Sequence, residues 1–256
     1  MGLLNPDWEQ KKPTFSQARA MCQQIQVETR PLTDSRFDPV LNRLRETHAN
    51  GGALFASFKL GASEAFEWFA SRNRLLEFAV LRQLLDRVEV TSALPELQVQ
   101  PLAPDDPAFA IRNLKEEGRV AEFLESLKPE ISDNERLRLE INQRLSLAID
   151  QNEELGNPAF DGTFRGTDSF LFDGELAGKL YAGGAYTRPN GDGRAEKESA
   201  LGFCDALFGL RFSEVSFYST DSAWTSWFGN MGCDWTAILF DRRLRSLSIL
   251  ATTDSD

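Results

Sequence analysis

The chain has 256 residues, of which 41% are hydrophobic, and its formal net charge at pH 7 is −11. That length allows one large domain or two modest ones, and the apolar content suffices for a packed core without disulfides. The negative field repels phosphate groups, which disfavours general binding to nucleic acid or to an anionic membrane and suits a partner with a basic surface.

The three cysteines indicate a reducing compartment. Cys22, Cys204 and Cys233 lack the spacing of metal ligands, and so sparse a set does not form a disulfide framework. The first residues lack the basic and apolar regions of a secretory signal, and no apolar run approaches the ~20 residues of a membrane span. We therefore expect a cytoplasmic protein.

The first part of the chain has the three- and four-residue periodicity of amphipathic helices. Asp38-Pro39 and the Ser132…Glu135 capping box mark two of the expected helix starts. The pattern predicts helices over residues 14–28, 38–49, 63–87, 106–118 and 132–155, of which 63–87 is the longest, and a helical continuation over 119–127. Residues 88–104 are predicted to form a short strand or a crossing loop.

The pattern changes near residue 156, where glycine, aromatic and β-branched residues become frequent. Two apolar runs, 235–240 and 247–252, flank Asp241–Arg245 and predict an antiparallel hairpin with a charged, solvated tip. Elsewhere the pattern predicts a strand or turn at 170–172 with a turn at Asp173-Gly174, a strand over 177–186 that runs into a Gly-Gly turn, and a strand over 215–219. It also predicts an amphipathic helix over 195–208, with Leu201 facing inward and Gly209 closing it.

These elements predict an α+β fold. A helical N-terminal portion, residues 1–156, is followed by a unit over residues 157–256 that contains a small, mostly antiparallel sheet with one packed helix. The predicted boundary lies near Leu155–Pro158. The two portions either share one core or form separate domains.

The residues that carry common catalytic chemistry are scarce. The single histidine, His48, lies at the predicted exposed C-terminus of a short polar helix, and no cysteine has a reactive context. Zinc sites normally take several His or Cys ligands, and glycine-rich phosphate-binding motifs are absent. We predict no metal site and no cofactor. Carboxylates remain, so a Mg²⁺-assisted hydrolase that uses Asp221, Asp234 and Asp241 is one alternative function.

Residues 219–235 are rich in tryptophan, with three of the five tryptophans of the chain. A single helical turn capped by Asp221 would place Trp224, Trp227 and Phe228 on one face. In the favoured interpretation these rings pack into the core, because tryptophan is highly buried on average. In the other, Asp221, Trp224, Trp227, Phe228 and Trp235 form a contact surface for a partner.

By elimination and from the acidic charge, we favour a non-enzymatic binding or inhibitory protein that captures a basic protein partner. An immunity protein that neutralises a toxin has this physical character. A third alternative is a structural subunit of a larger assembly. Its docking surface would be an apolar helix face left open on residues 63–87 or 132–155.

Overall fold

A computed structural model describes residues 2–98, 164–187, 192–229 and 232–254. These ranges contain α1 (Phe15–Gln24), α2 (Asp38–Thr47), α3 (Glu64–Ser71), α4 (Val80–Leu85), α5 (Val88–Ala93), α6 (Phe172–Ala182) and α7 (Gly193–Leu207). They also contain β1 (Val27–Thr29), β2 (Gly52–Leu60), β3 (Arg165–Asp168), β4 (Val215–Thr220), β5 (Trp235–Asp241) and β6 (Ser246–Thr253). The predicted α+β class is confirmed.

The six strands form one antiparallel sheet in the order β1-β2-β6-β5-β4-β3. The predicted hairpin is confirmed as β5 and β6, in which Ile238 lies opposite Ile249. Strand β2 pairs with β6 from Gly52, opposite Thr253, to Lys59, opposite Ser246. Strands from the first 98 residues and from the last 93 therefore share a sheet. The predicted boundary near Leu155–Pro158 lies outside the described residues.

Helices cover both faces of the sheet. Because side chains alternate along a strand, Ile238 and Ile249 pack with α1, α3, α4 and α5, whereas Leu239 and Leu250 pack with α2, α6 and α7. The expectation of a helix on one face only is corrected. Every residue of β5 and β6 is buried, as in strands covered on both sides, which accounts for their nearly continuous apolar runs.

The predicted long helix over residues 63–87 is wrong. The chain leaves the helical conformation at Asn73, Phe78 and Ala79, whose φ angles are 56°, 51° and 52°. The break allows α3 and α4 to place separate apolar stripes on the same face of the sheet. Residues 88–93, expected as a strand or loop, form α5. None of the described helices combines the length and apolar character that crossing a membrane requires.

Residues 170–186 also differ from the prediction of a strand or turn at 170–172 and a strand over 177–186. A 3₁₀ turn, Ser169–Leu171, leads into α6, and Phe172, Leu176 and Leu180 form its buried stripe at four-residue steps. The predicted turn at Asp173-Gly174 lies in the first turn of α6, where an acidic side chain complements the helix dipole. The helix ends at Gly183, whose φ of 72° suits glycine.

The helix over 195–208 and the strand over 215–219 are confirmed as α7 and β4. Asp192 caps α7 by accepting a hydrogen bond from the backbone N–H of Arg194. One detail is corrected: Leu201, expected to face inward, is exposed.

The hairpin tip is more ordered than the predicted solvated turn. The Asp241 carboxylate is buried and accepts hydrogen bonds from the backbone N–H groups of Arg243 and Leu244, both at 2.9 Å. It also forms an ion pair with Arg211 at 2.8 Å. The Asp241 side chain therefore stabilises the hairpin turn and links it to the segment that precedes β4.

We expect Asp241→Ala to lower the free energy of unfolding by about 2–4 kcal/mol, because it leaves two backbone N–H groups and one guanidinium without their acceptor. Urea unfolding followed by tryptophan fluorescence measures the change. The control is Glu198→Ala, which removes an exposed ion pair with Arg194 and should change the free energy by less than about 0.5 kcal/mol. Equal unfolding free energies for the two variants would contradict the prediction.

Candidate functional site

Two rings of the tryptophan-rich segment lie in the core on the α1 side of the sheet. Trp224 and Phe228 are buried, and their ring centroids lie 5.7 Å apart. The indole N–H of Trp224 donates to the Thr236 hydroxyl at 2.9 Å. Trp227 is half-buried against Phe228. Core packing therefore describes Trp224 and Phe228.

Trp235 and Asp221 lie beside α6, on the other side of the sheet. Trp235 is fully buried, its ring stacks on Phe172, and its indole N–H donates to Glu175 at 2.7 Å. Asp221 is exposed and forms an ion pair with Lys179 at 2.7 Å. The five predicted binding residues thus do not form one exposed surface. Only Asp221 and part of Trp227 are accessible, and a binding role for the five stays a prediction.

The three carboxylates of the hydrolase hypothesis do not converge. Asp234 is fully buried at the start of β5 and accepts a hydrogen bond from the Thr253 hydroxyl at 2.6 Å. Asp241 lies at the far end of the same strand, roughly 20 Å away at the usual rise per residue. Within the described ranges, no three His, Cys, Asp or Glu residues are grouped so that they could hold a metal ion.

His48 is buried rather than exposed, which corrects the sequence prediction. Its Nδ1 lies 3.0 Å from the Leu44 carbonyl oxygen and 3.0 Å from the Thr47 hydroxyl. A protonated Nδ1 donates to the carbonyl oxygen, which can only accept. Burial lowers the pKa of His48 below its ordinary value. The Leu44 carbonyl and the charges of Asp254 and Asp234 act in the raising direction, and Lys179 acts in the lowering direction.

Asp254, which follows β6, fastens two loops beside His48. Its buried carboxylate accepts hydrogen bonds from the backbone N–H groups of Asn50 and Tyr186, both at 3.2 Å. Gly184 lies so close to this carboxylate and to the Thr47 carbonyl that a Cβ atom there would collide with both. The cluster joins α2, β6 and the loop after α6, and its burial indicates a structural role.

An open cavity of about 500 Å³ lies beside β3 and β4, and we call it the edge cavity. Two 3₁₀ turns, Ser169–Leu171 and Phe212–Glu214, form part of its wall. The Ser169 hydroxyl joins the turns by donating to the Phe212 carbonyl. The lining residues are Asn73, Gly166, Thr167, Asp168, Ser169, Phe170, Phe212, Ser213, Val215, Ser216, Phe217, Tyr218 and Arg242.

Large apolar side chains are exposed at the edge cavity and close to it. The ring of Phe170 is 59% exposed, yet it stacks on Phe212 with centroids 5.1 Å apart and an interplanar angle of 15°. Leu171 follows it in the same turn, and Leu210 precedes the second turn; these two side chains are 59% and 90% exposed. Exposed apolar side chains that form a contiguous patch are typical of contact surfaces.

Arg242 is the cation of the edge cavity. Its Nε donates to the Glu214 carbonyl at 3.3 Å and its Nη2 to the Ser213 carbonyl, but no carboxylate of the described residues lies within ion-pair distance. Burial raises the pKa of the adjacent Tyr218 phenol to about 12, although the Arg242 charge acts in the lowering direction. The cavity therefore combines an aromatic wall with a guanidinium that has no ion-pair partner among those residues.

Sequence reasoning misses this cavity because it predicts a strand or turn at residues 170–172 rather than the turn before a helix. The four-residue steps of Phe172, Leu176 and Leu180 were the available signal. They predict a helix whose buried stripe leaves Phe170 and Leu171 outside it.

Comparison of the chain with protein-family models, with curated proteins and with solved structures found no match.

The buried histidine predicts an acid-sensitive stability. Because the pKa of His48 is lower in the folded chain, the unfolded chain binds a proton first as the pH falls below about 6.5. The free energy of unfolding should therefore decrease between pH 7.5 and 5, and His48→Gln should reduce that decrease. Urea unfolding at several pH values measures both slopes. Because the chain has one histidine, equal slopes in the two proteins would contradict the assignment.

Proposed function

We propose that this protein is a non-enzymatic binding protein that captures a basic protein partner, and that the edge cavity holds an extended segment of that partner. The exposed ring of Phe170, stacked on Phe212 at a cavity of about 500 Å³, is the observation that carries the proposal. Aromatic anchors beside a pocket dominate the energetics of many interfaces. The cavity volume lies within the usual range of ligand pockets, about 300–1,000 Å³.

The position of β3 supports an extended segment. Within the described ranges β3 pairs with β4 alone, at the end of the strand order. An edge strand presents unpaired backbone N–H and C=O groups, to which an extended chain can add as a further strand. Three of the four residues of β3 are exposed. A partner segment would then gain backbone hydrogen bonds from β3 and apolar contact with Phe170.

The charge supports a basic partner. Residues 99–163 hold 14 of the 39 acidic and 7 of the 28 basic residues, so most of the net charge of −11 belongs to that part of the sequence. Opposite charge raises the rate at which partners meet, and it does so over longer distances than apolar contacts act. Inhibition of a basic effector, as by an immunity protein, is the specific role that we propose.

The other hypotheses gain less support. The apolar side chains of α3 and α4, including Phe66, Phe69 and Leu84, are buried, so residues 63–87 do not leave an open face for an assembly. The predicted helix over 132–155 lies outside the described residues. All three cysteines are free, which supports the proposed cytoplasmic location.

A random-peptide library selected on the full chain tests the proposed function. We expect the selected peptides to carry net positive charge and Phe170→Ser to weaken their binding tenfold or more, the effect of losing an interface anchor. Fluorescence polarisation measures the affinities. The control is Val88→Ser, which changes an exposed apolar residue of α5, a helix that packs near β1 at the opposite edge of the sheet.

Two results would contradict the proposal. One is a set of peptides that binds wild type and the Phe170 variant equally. The other is a selected set without basic residues.

A further inference from the structure

We infer that the edge cavity binds a carboxylate joined to an apolar group, and that the guanidinium of Arg242 is its anion-binding residue. The inference rests on the proposed function, because it names the chemistry that the same cavity recognises.

The position of Arg242 suits an anion. Its backbone N–H and its Nε both donate to the Glu214 carbonyl, and its Nη2 donates to the Ser213 carbonyl, so the side chain is held against the Phe212–Glu214 turn. A guanidinium has five N–H donors in a planar fork that matches a carboxylate, and these bonds leave some of them unused. The side chain is therefore oriented before a ligand arrives.

The neighbouring arginines show why Arg242 differs. Arg211 forms an ion pair with the buried Asp241 at 2.8 Å, and Arg243 forms one with Glu214 at 3.4 Å. Arg242 has only backbone carbonyls as partners among the described residues. A ligand carboxylate would supply the missing negative charge, at a site where partial burial makes the attraction stronger than in water.

The other residues of the cavity wall indicate which group is joined to the carboxylate. Four residues of this wall are apolar and suit an aromatic or branched aliphatic group: Phe170, Phe212, Val215 and Phe217. The asparagine, threonine and serine side chains of the lining are polar. One carboxylate also lines the cavity, that of Asp168, and it accepts the backbone N–H of Phe170 at 3.0 Å.

The sheet register separates this carboxylate from Arg242. Asp168 lies opposite Ser216 on one side of β4, whereas Arg242 follows the residue that lies opposite Val215 on the other side. Two strand spacings and two residues put their Cα atoms roughly 12 Å apart. The two residues thus start from separate positions of the cavity lining, and among the described residues no ion pair joins them.

Two sources carry this chemistry: a free carboxylic acid with an apolar body, and the C-terminal residue of a protein partner. Both place a carboxylate one or two bonds from an apolar group. They are distinguished by whether the residues that precede the carboxylate add affinity.

Calorimetric titration of the full chain with N-acetyl-phenylalanine and with N-acetyl-phenylalaninamide tests the inference. The two probes differ in the carboxylate alone. We expect the acid to bind at least tenfold more tightly than the amide, and Arg242→Gln to remove that difference. Arg243→Gln is the matched control and should keep it. If Arg242→Gln does not fold, Arg242→Lys and the comparison of acid with amide on the wild-type chain still test the inference.

The inference is overturned if acid and amide bind equally, if neither binds at 10 mM, or if Arg243→Gln has the same effect as Arg242→Gln. A five-residue peptide that ends in phenylalanine, with a free or an amidated C-terminus, identifies the source. Tighter binding of the free-acid peptide than of N-acetyl-phenylalanine supports a partner's C-terminus, and equal binding supports a small acid.

The two proposals fail separately. Library peptides whose binding depends on Phe170 and is unchanged by C-terminal amidation would overturn the inference and leave the proposed function standing. Acid binding that depends on Arg242, with no peptide selected from the library, would support the inference and overturn the proposed function.

Discussion

The burial of the β5–β6 hairpin on both faces is the constraint on which the rest of the structure depends. Every residue of these strands is buried, so each backbone polar group must be paired within the sheet. Strands β2 and β4 provide that pairing on the two sides. Because successive side chains point to opposite faces of the sheet, Ile238 and Leu239 belong to two different hydrophobic cores, one beneath each layer of helices. The helices cover apolar surface that the central hairpin creates.

Three buried carboxylates lie at the ends of the hairpin strands and hold neighbouring groups in place. Asp234 precedes β5, Asp241 ends it, and Asp254 follows β6, and all three are buried. Each accepts hydrogen bonds from nearby hydroxyl, backbone or guanidinium donors. Buried carboxylates are tolerated when such donors surround them. Asp234 and Asp241, two of the three carboxylates of the hydrolase hypothesis, thus close strand ends, and Asp254 joins two loops.

Local signals predicted the parts of the fold that local interactions determine. The hairpin followed from two apolar runs around a short charged segment, and α7 from its period and its closing Gly209. The pairing of β2 with β6 joins residues about 190 positions apart, and no local pattern encodes that register. Helix α6 was missed because its glycines and aromatic residues resemble those of strands, although tertiary packing selects the helical stripe of Phe172 and Leu176. The edge cavity was missed for the same reason, since Phe170 is exposed only if α6 begins after it.

The electrostatics of the two proposals agree best when the ligand carboxylate belongs to a basic protein. A chain of net charge −11 repels a small free acid at long range, and Arg242 attracts it only within about a Debye length, roughly 8–10 Å. The negative charge of the chain attracts a basic partner as a whole. This attraction outweighs the repulsion of the partner's terminal carboxylate, which can then reach the guanidinium of Arg242. Edge strand β3 can pair with the backbone that precedes the terminus, and Phe170 can contact its apolar side chains. Of the two sources of a carboxylate, the C-terminus of a basic partner is thus the one that uses the acidic charge, the edge strand and Arg242 together.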